Sequence, residues 1–437
     1  MVCAGMNILK RLFKYFIYFV LGVVILIAGL VAYLIWPQPT FNLPKPTGQY
    51  AIGRTTYHWT DATRKEIYSD DSKHPNRELM VNIWYPSQGT LTEKPTTPYA
   101  TYVIDYLKKN QKILWLLECY PSYSYAQPEA LLASGLSRYP IIIVSHGLNS
   151  VPDAHTSQCE ELASHGYVVV GINHTYDSIV TQFPDGRIAD GMKSMKKKMQ
   201  NKNIMDIDKQ MDQDIEIRVS DIHFVLDQLE FLASNKMSLF YQRLDQKNIG
   251  VFGHSFGGAT AVQICRRDSR IKAGIDLDGF LQGSDATKNF DKPFMFLLSE
   301  VSVKKYEQPW SQNYLKLQNI HSPDEEALLK SRYLPAIEHL AQSMDHDIYT
   351  FVVKDSGHMD FSDIALIKSA TRLYRLLLKR GVGSYLDMGS INGLRATEIL
   401  RAYLVNFFDK YLKNQPSELL DGGKHVYPEV EVKQWDN

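Results

Sequence analysis

The sequence predicts an α/β fold, a mostly parallel central sheet covered by helices on both faces and preceded by an N-terminal transmembrane helix. Three observations carry that expectation. Short apolar strand-like runs alternate with helical stretches from "ELMVNIWYP" onward, "NIGVFGHSFGGAT" passes from a strand through a glycine-rich turn into a helix, and residues 15–36 carry no charge. Apolar runs without polar alternation are what a parallel sheet buried on both faces requires.

Residues 15–36 are enough to cross a bilayer core as a helix. Lys10, Arg11 and Lys14 precede the span and Lys45 is the first charge after it, so residues 1–14 are expected in the cytoplasm and the body on the non-cytoplasmic side. A cleaved secretory signal is the alternative; the apolar run exceeds the length usual for one, and no small-x-small site follows it. "PQPTFNLPKPTG", residues 37–48, is proline-rich and reads as an extended spacer, with the folded body at 49–437. No internal repeat occurs, which argues against solenoids and propellers.

Within the body, "YPIIIVSHG" predicts a strand, "SQCEELASHG" a helix ending in glycine, and "YVVVGIN" the next strand. An amphipathic helix near "IEIRVSDIHFVLDQLEFL" follows, then the strand "NIGVFG", a helix from Phe256, the strands "AGIDLD" and "KPFMFLLS", a helix within "PDEEALLKSRYLPAIEHLAQSM", and the strand "IYTFVV". Residues 191–218 read as an insert of lid-like character. Met192, Met195 and Met199 recur there at helical spacing beside Lys196, Lys197 and Lys198, a pattern fitting either a lipid contact or a solvated surface helix.

Composition narrows the chemistry. With 48 basic and 48 acidic residues in 437 there is no net charge to attract nucleic acid. No C-x-x-C or H-E-x-x-H occurs and the 13 histidines are scattered, so no metal or cofactor is expected. Cys3 is cytoplasmic in this topology; Cys119, Cys159 and Cys265 permit one disulfide, although none is simpler.

G-x-S-x-G between a strand and a helix predicts a sharp turn that lifts the Ser255 hydroxyl above the sheet, in front of a helix N-terminus. A serine hydroxyl needs a histidine base, itself oriented by a carboxylate, in the chain order serine, acid, histidine. His358, in "VVKDSGHMDFSD" after the last apolar strand, is the expected base. His254 reads as structural; His321 and His339 lie in or beside a helical insert, and His425 is in the polar tail. Two strand ends offer the acid, Asp278 and Glu300, while Asp276 lies deeper and is expected to make a local hydrogen bond. Backbone N–H groups of Phe256 and Leu148 are the expected oxyanion donors, with His146 holding the "SHGLNS" loop. The Leu148 and Phe256 side chains are expected to wall a small acyl site.

The stretches "VNIWYPSQ", "YPIIIVSHGL", "ELASHGYVVVGINH", "GHSFGGAT" and "GIDLDG", in this order, resemble the plasma and intracellular type II platelet-activating factor acetylhydrolases, a lipid-hydrolysing branch of the α/β-hydrolases. The resemblance implies Ser255 as nucleophile, Asp278 as acid, His358 as base, and the Leu148 and Phe256 amides as oxyanion donors. It implies hydrolysis of short or oxidised sn-2 acyl esters of phospholipids without calcium. Asn149 stands where the family has glycine, and the chain after Glu300 matches weakly. The same fold also serves soluble short-chain esters and polyesters, and non-catalytic scaffolds use it too.

Overall fold

The computed structural model describes residues 2–35, 42–69, 71–110, 123–283, 285, 288, 290–311, 315, 320–344, 346–369, 387–421 and 426–435. Helix α1, Val2–Ile35, contains the stretch Arg11–Tyr33, which is long and apolar enough to cross a membrane. At 1.5 Å per residue that stretch is about 34 Å long, matching a bilayer's hydrocarbon core.

Among the described residues the central sheet has ten strands. They are β1 (Ala51–Lys65), β2 (Asn76–Ser87), β3 (Gln127–Pro128), β4 (Tyr139–Ser145), β5 (Val168–Asn173), β6 (Leu244–His254), β7 (Ile271–Leu277), β8 (Phe294–Ser299), β9 (Ile348–Val353) and β10 (Val430–Val432). Their spatial order is β10-β9-β8-β7-β6-β4-β5-β2-β1-β3. Strands β5, β4, β6, β7, β8 and β9 run parallel; β2 joins β5, β1 joins β2 and β10 joins β9 antiparallel.

Every residue of β4 and β5 is buried. Alternate side chains feed two cores, as the two-residue period of a strand demands. Ile141 and Ile143 of β4 join the core under helices α5 (Ile204–Ser234) and α6 (Phe256–Arg267). Ile142 and Val144 join the core under α3 (Thr156–Ser164) and the long helix Gly393–Lys413. That last helix packs so closely on β6 that a Cβ added at Gly250 would lie 2.5 Å from Phe408.

Three features differ from the expectations. The antiparallel β1–β2 hairpin extends the sheet through a strand, β1, whose half-exposed sequence "AIGRTTYHWTDATRK" has no apolar run. Helices α7 (Glu300–Glu307), α8 (Pro323–Ser331) and α9 (Leu334–Ser343) follow β8, so the single helix expected over 323–344 is two, broken at Arg332–Tyr333. Pro335 lacks the N–H that would bond back across the break. Residues 191–218 form α4 (Gly191–Met199) and the first half of α5, whose Asp214, Ile215 and Arg218 are buried. Lys196 and Lys197 are exposed. Lys198 instead turns inward to Asp177 and Asp214, at 3.5 and 3.1 Å.

Helix α2 is Thr101–Asn110, and the helix Gly393–Lys413 is α10. Cys159 and Cys265 are unbridged thiols buried in opposite cores, and Cys119 lies outside the described residues.

Phe408→Ala should empty the seam between α10 and β6 and destabilise the body by about 3–5 kcal/mol, measured by denaturant unfolding of protein lacking residues 1–37.

Candidate functional site

Neighbouring strands β4, β6 and β7 end at the same edge of the sheet: Gly253 lies opposite Ser145, and His254 opposite Leu277. The residues that follow those ends therefore meet, as they do in open parallel sheets generally. Ser255 follows β6, Asp278 follows β7, His146–Leu148 follow β4, and the segment after β9 brings in His358.

Ser255 has φ 57° and ψ −122°, a conformation that costs an L-residue about 1–3 kcal/mol and is kept only where its surroundings enforce it. Its N–H donates to the Leu277 carbonyl at 3.0 Å, and its carbonyl accepts from Gly258 and Ala259 of α6 at 2.9 and 3.2 Å. A Cβ at Gly257 would lie 1.9 Å from the Ser145 carbonyl oxygen, and one at Gly253 would lie 2.0 Å from the Gly257 oxygen. Both flanking glycines are thus demanded by close backbone approach. The Phe256 N–H, at the start of α6, has no intrahelical acceptor and points out of the helix N-terminus.

Asp278, also at positive φ (53°), is buried at the floor of the site. One oxygen accepts from the Ser299 N–H at 2.6 Å and Tyr333 hydroxyl at 2.9 Å. The other accepts from the Ser299 and Ser302 hydroxyls at 2.9 and 2.8 Å and faces His358 Nδ1 at 2.8 Å. Burial pushes this carboxyl's pKa up, but the hydrogen bond and charge of His358, helped by the Ser299 N–H and Ser302 hydroxyl, outweigh burial and hold it below the ordinary carboxylate value. Burial likewise pulls His358 down, and Asp278 overrides it, leaving the imidazole above its ordinary value. With Nδ1–H on the carboxylate, Nε2 is the nitrogen free to take a proton.

Asp276 is the contrasting carboxyl. It accepts the Gly279 N–H at 2.7 Å, and burial, uncompensated by any cation, raises its pKa well above the ordinary value. Glu300, the alternative acid, opens α7 and turns to Lys304 at 2.7 Å and the Asp355 N–H at 2.9 Å, so it does not bond His358.

His254 packs its ring against that of His358, centroids 4.5 Å apart, and donates Nε2–H to the His358 carbonyl at 2.9 Å. Burial first, then the neighbouring His358 and His155, push its pKa well down. The residue before the serine thus fixes the backbone that carries the histidine. His321 and His339 are exposed, and His425 lies outside the described residues.

On the opposite wall, His146 is fully buried; its Nδ1–H donates to the Gly147 carbonyl at 2.7 Å, and Nε2 accepts from the Ser178 hydroxyl at 2.7 Å and the His174 N–H at 3.2 Å. A Cβ on Gly147 would lie 3.4 Å from Ser255 Cβ, which puts this loop directly beside the serine. Leu148, Met211 and Phe280 are half-buried around Phe256. The Phe256 ring is itself fully buried, contrary to the expectation that it walls an acyl site: as the first residue of α6 it is directed beneath the turn, against Ile215 and Ala259. Among the described residues no group of three or more His, Cys, Asp or Glu side chains is arranged to hold a metal ion.

Residues that the sequence reading missed include Ser299, Ser302 and Tyr333, which hold Asp278, and Arg218, whose guanidinium reaches the loop after β4. Their sequence signal is weak, because hydroxyl residues and an arginine on an amphipathic helix are ordinary everywhere.

The family model for platelet-activating factor acetylhydrolase, isoform II, matches residues 37–416. A probable 1-alkyl-2-acetylglycerophosphocholine esterase of Arthroderma benhamiae is 24% identical over 90% of this chain and 93% of its own. The platelet-activating factor acetylhydrolase of Canis lupus familiaris is 26% identical over 65% of each chain. Among solved structures, a ferulic acid esterase from Streptomyces cinnamoneus superposes with a TM-score of 0.66 at 26% identity, covering 90% of this chain and 99% of that one.

Titration of the histidines by NMR should place His358 above its ordinary value near 6.5, and Asp278→Asn should lower it, because the carboxylate that outweighs burial is then gone. The His358 contribution to stability is full below pH ~6.5 and is lost as pH rises through the higher folded-state value.

Proposed function

This chain belongs to the platelet-activating factor acetylhydrolase isoform II family, a family of serine ester hydrolases, and on that premise we propose that it cleaves short or oxidised sn-2 acyl esters of phospholipids from a membrane-anchored position. The observation that carries this reading is the pair of half-buried His358 and buried Asp278, joined through His254 to the strained turn that presents Ser255.

In this mechanism Ser255 Oγ attacks the acyl carbon and passes its proton to His358 Nε2. Asp278 keeps the proton of Nδ1 in place and stabilises the imidazolium. Negative charge developing on the acyl oxygen is met by the Leu148 and Phe256 N–H groups and by the N-terminus of α6. His358 then returns the proton to the departing lysophospholipid hydroxyl, and a water, activated by the same imidazole, releases the acid. No step calls on calcium. Helix α1, by length and composition, supports a single membrane span with the body on the non-cytoplasmic side.

The half-buried Leu148, Met211 and Phe280 give the acyl group apolar contact close to the serine. An added methylene that fits such a wall gains about 1–3 kcal/mol, whereas one that clashes loses productive alignment. A second reading, a hydrolase of soluble short-chain esters or polyesters, draws on the similarity to the ferulic acid esterase across 99% of that chain.

Ser255→Ala should leave the fold intact and lower kcat by about 10⁴–10⁶-fold. Asp278→Asn should lower it by about 10⁴-fold, and Glu300→Gln should stay near wild type. Substantial turnover by Ser255→Ala, or a reversed ranking of the two acids, overturns the assignment.

On a matched acyl series, kcat/KM should fall steeply from acetyl to unmodified long sn-2 chains, unchanged by chelator, and full-length protein should stay with membranes at high salt. Equal rates along the phospholipid series, or preference for soluble esters over every phospholipid, would select the second reading.

A further inference from the structure

We infer that Arg218 is a positioning residue that aims both oxyanion donors, an inference that rests on the site reading above. Arg218 lies on α5 with no exposed surface. Its guanidinium donates to the carbonyl of His146 and, at 3.4 Å, to that of Gly147; it also bonds the Asp177 carboxylate. The same guanidinium lies over the Phe256 ring, 4.6 Å from its centroid. One buried cation therefore touches the loop that carries the first donor and the residue that carries the second.

Peptide geometry turns these contacts into a direction. In a trans peptide the C=O of one residue and the N–H of the next point opposite ways. The Gly147 carbonyl is drawn toward Arg218 and the His146 ring, so the Leu148 N–H points to the other side, where Gly147 adjoins Ser255. The Asn149 N–H donates to the Asp177 carbonyl at 3.0 Å, and the Ile179 N–H to that of Ser150 at 2.9 Å, so the loop is tied to the turn that supplies Asp177.

Arginine suits this place for two reasons. It stays charged when buried, and its planar fork donates to two carbonyls and a carboxylate while its face stacks on an aromatic ring. Lysine offers a point charge without fork or face. The base of the loop is held by a second serine–histidine–aspartate relay: Ser145 Oγ lies 3.0 Å from His174 Nε2, and His174 Nδ1 lies 2.9 Å from Asp221. All three are fully buried, so the relay has no access to substrate and acts as scaffold.

The test compares Arg218→Lys, which keeps the buried charge, with the charge-balanced pair Arg218→Met/Asp177→Asn, in full-length protein. Active sites are counted by fluorophosphonate titration, so misfolded molecules drop out of kcat. Losing one oxyanion donor outright costs about 10²–10³ in rate, so misaimed donors should lower kcat by about 10-fold in Arg218→Lys and about 100-fold in the double variant. KM should change little. Affinity for a trifluoromethyl ketone, which places an oxyanion in the hole, should fall by the same factors. Wild-type kcat per titrated site in Arg218→Lys, or a fall in kcat without loss of ketone affinity, overturns the inference. Failure of the wild type to titrate at Ser255 would instead overturn the site reading on which it rests.

Discussion

The first turn of α6 is pressed against the end of β4 so closely that no side chain fits between them. Gly257 meets the Ser145 carbonyl there, and the rest of the site follows from that contact. To enter a helix so near the neighbouring strand, the chain must reverse within one residue after β6. Ser255 takes the strained conformation that results. The strain is sustained because both its backbone groups are bonded, to Leu277 and to the first turn of α6. The same approach brings the loop after β4 beside the serine.

Electrostatics then separate residues that look alike. Asp276 and Asp278 lie two positions apart and are both buried, yet one is driven toward the protonated form and the other toward the anion. The difference is compensation: Asp278 collects two hydroxyls from Ser299 and Ser302, the Tyr333 hydroxyl, a backbone amide and an imidazole, while Asp276 has a single amide. The histidines divide by the same rule. His358, facing a carboxylate, is raised, whereas burial keeps His146 and His254 neutral so that each can hold a loop with a defined tautomer. The buried cation at Arg218 is tolerated because Asp177 answers it, and Asp177 is in turn held anionic by Arg218 and Lys198.

Membership of a platelet-activating factor acetylhydrolase family and similarity to a ferulic acid esterase are compatible, because one fold can carry different substrate specificities. In this chain α7, α8 and α9 follow β8, Tyr333 between α8 and α9 bonds Asp278, and Arg218 of α5 bonds the loop after β4.

The sequence alone determined the parallel heart of the sheet, because strands buried on both faces must be apolar throughout, and "YPIIIVS" and "YVVVGIN" have no other good use. It also determined the turn at Ser255, since only glycines allow that approach. It left β1 unseen: a strand with an exposed face has no apolar run to announce it. It read Lys198 as one of three lysines on a lipid-contacting or solvated helix, and only the packing of α4 showed it turned inward to two carboxylates. It left Asp278 and Glu300 as alternatives on the residues themselves, because each ends an apolar strand-like run. Tertiary structure separated them: Ser299 caps α7, which carries Glu300 outward to Lys304, while the Ser299 amide and hydroxyl close on Asp278. Arg218 was equally beyond reach of periodicity, since its partners lie more than seventy residues earlier on the loop after β4. Local pattern decides which residues can be buried. Which polar groups meet in that interior is decided only when the strands are laid side by side.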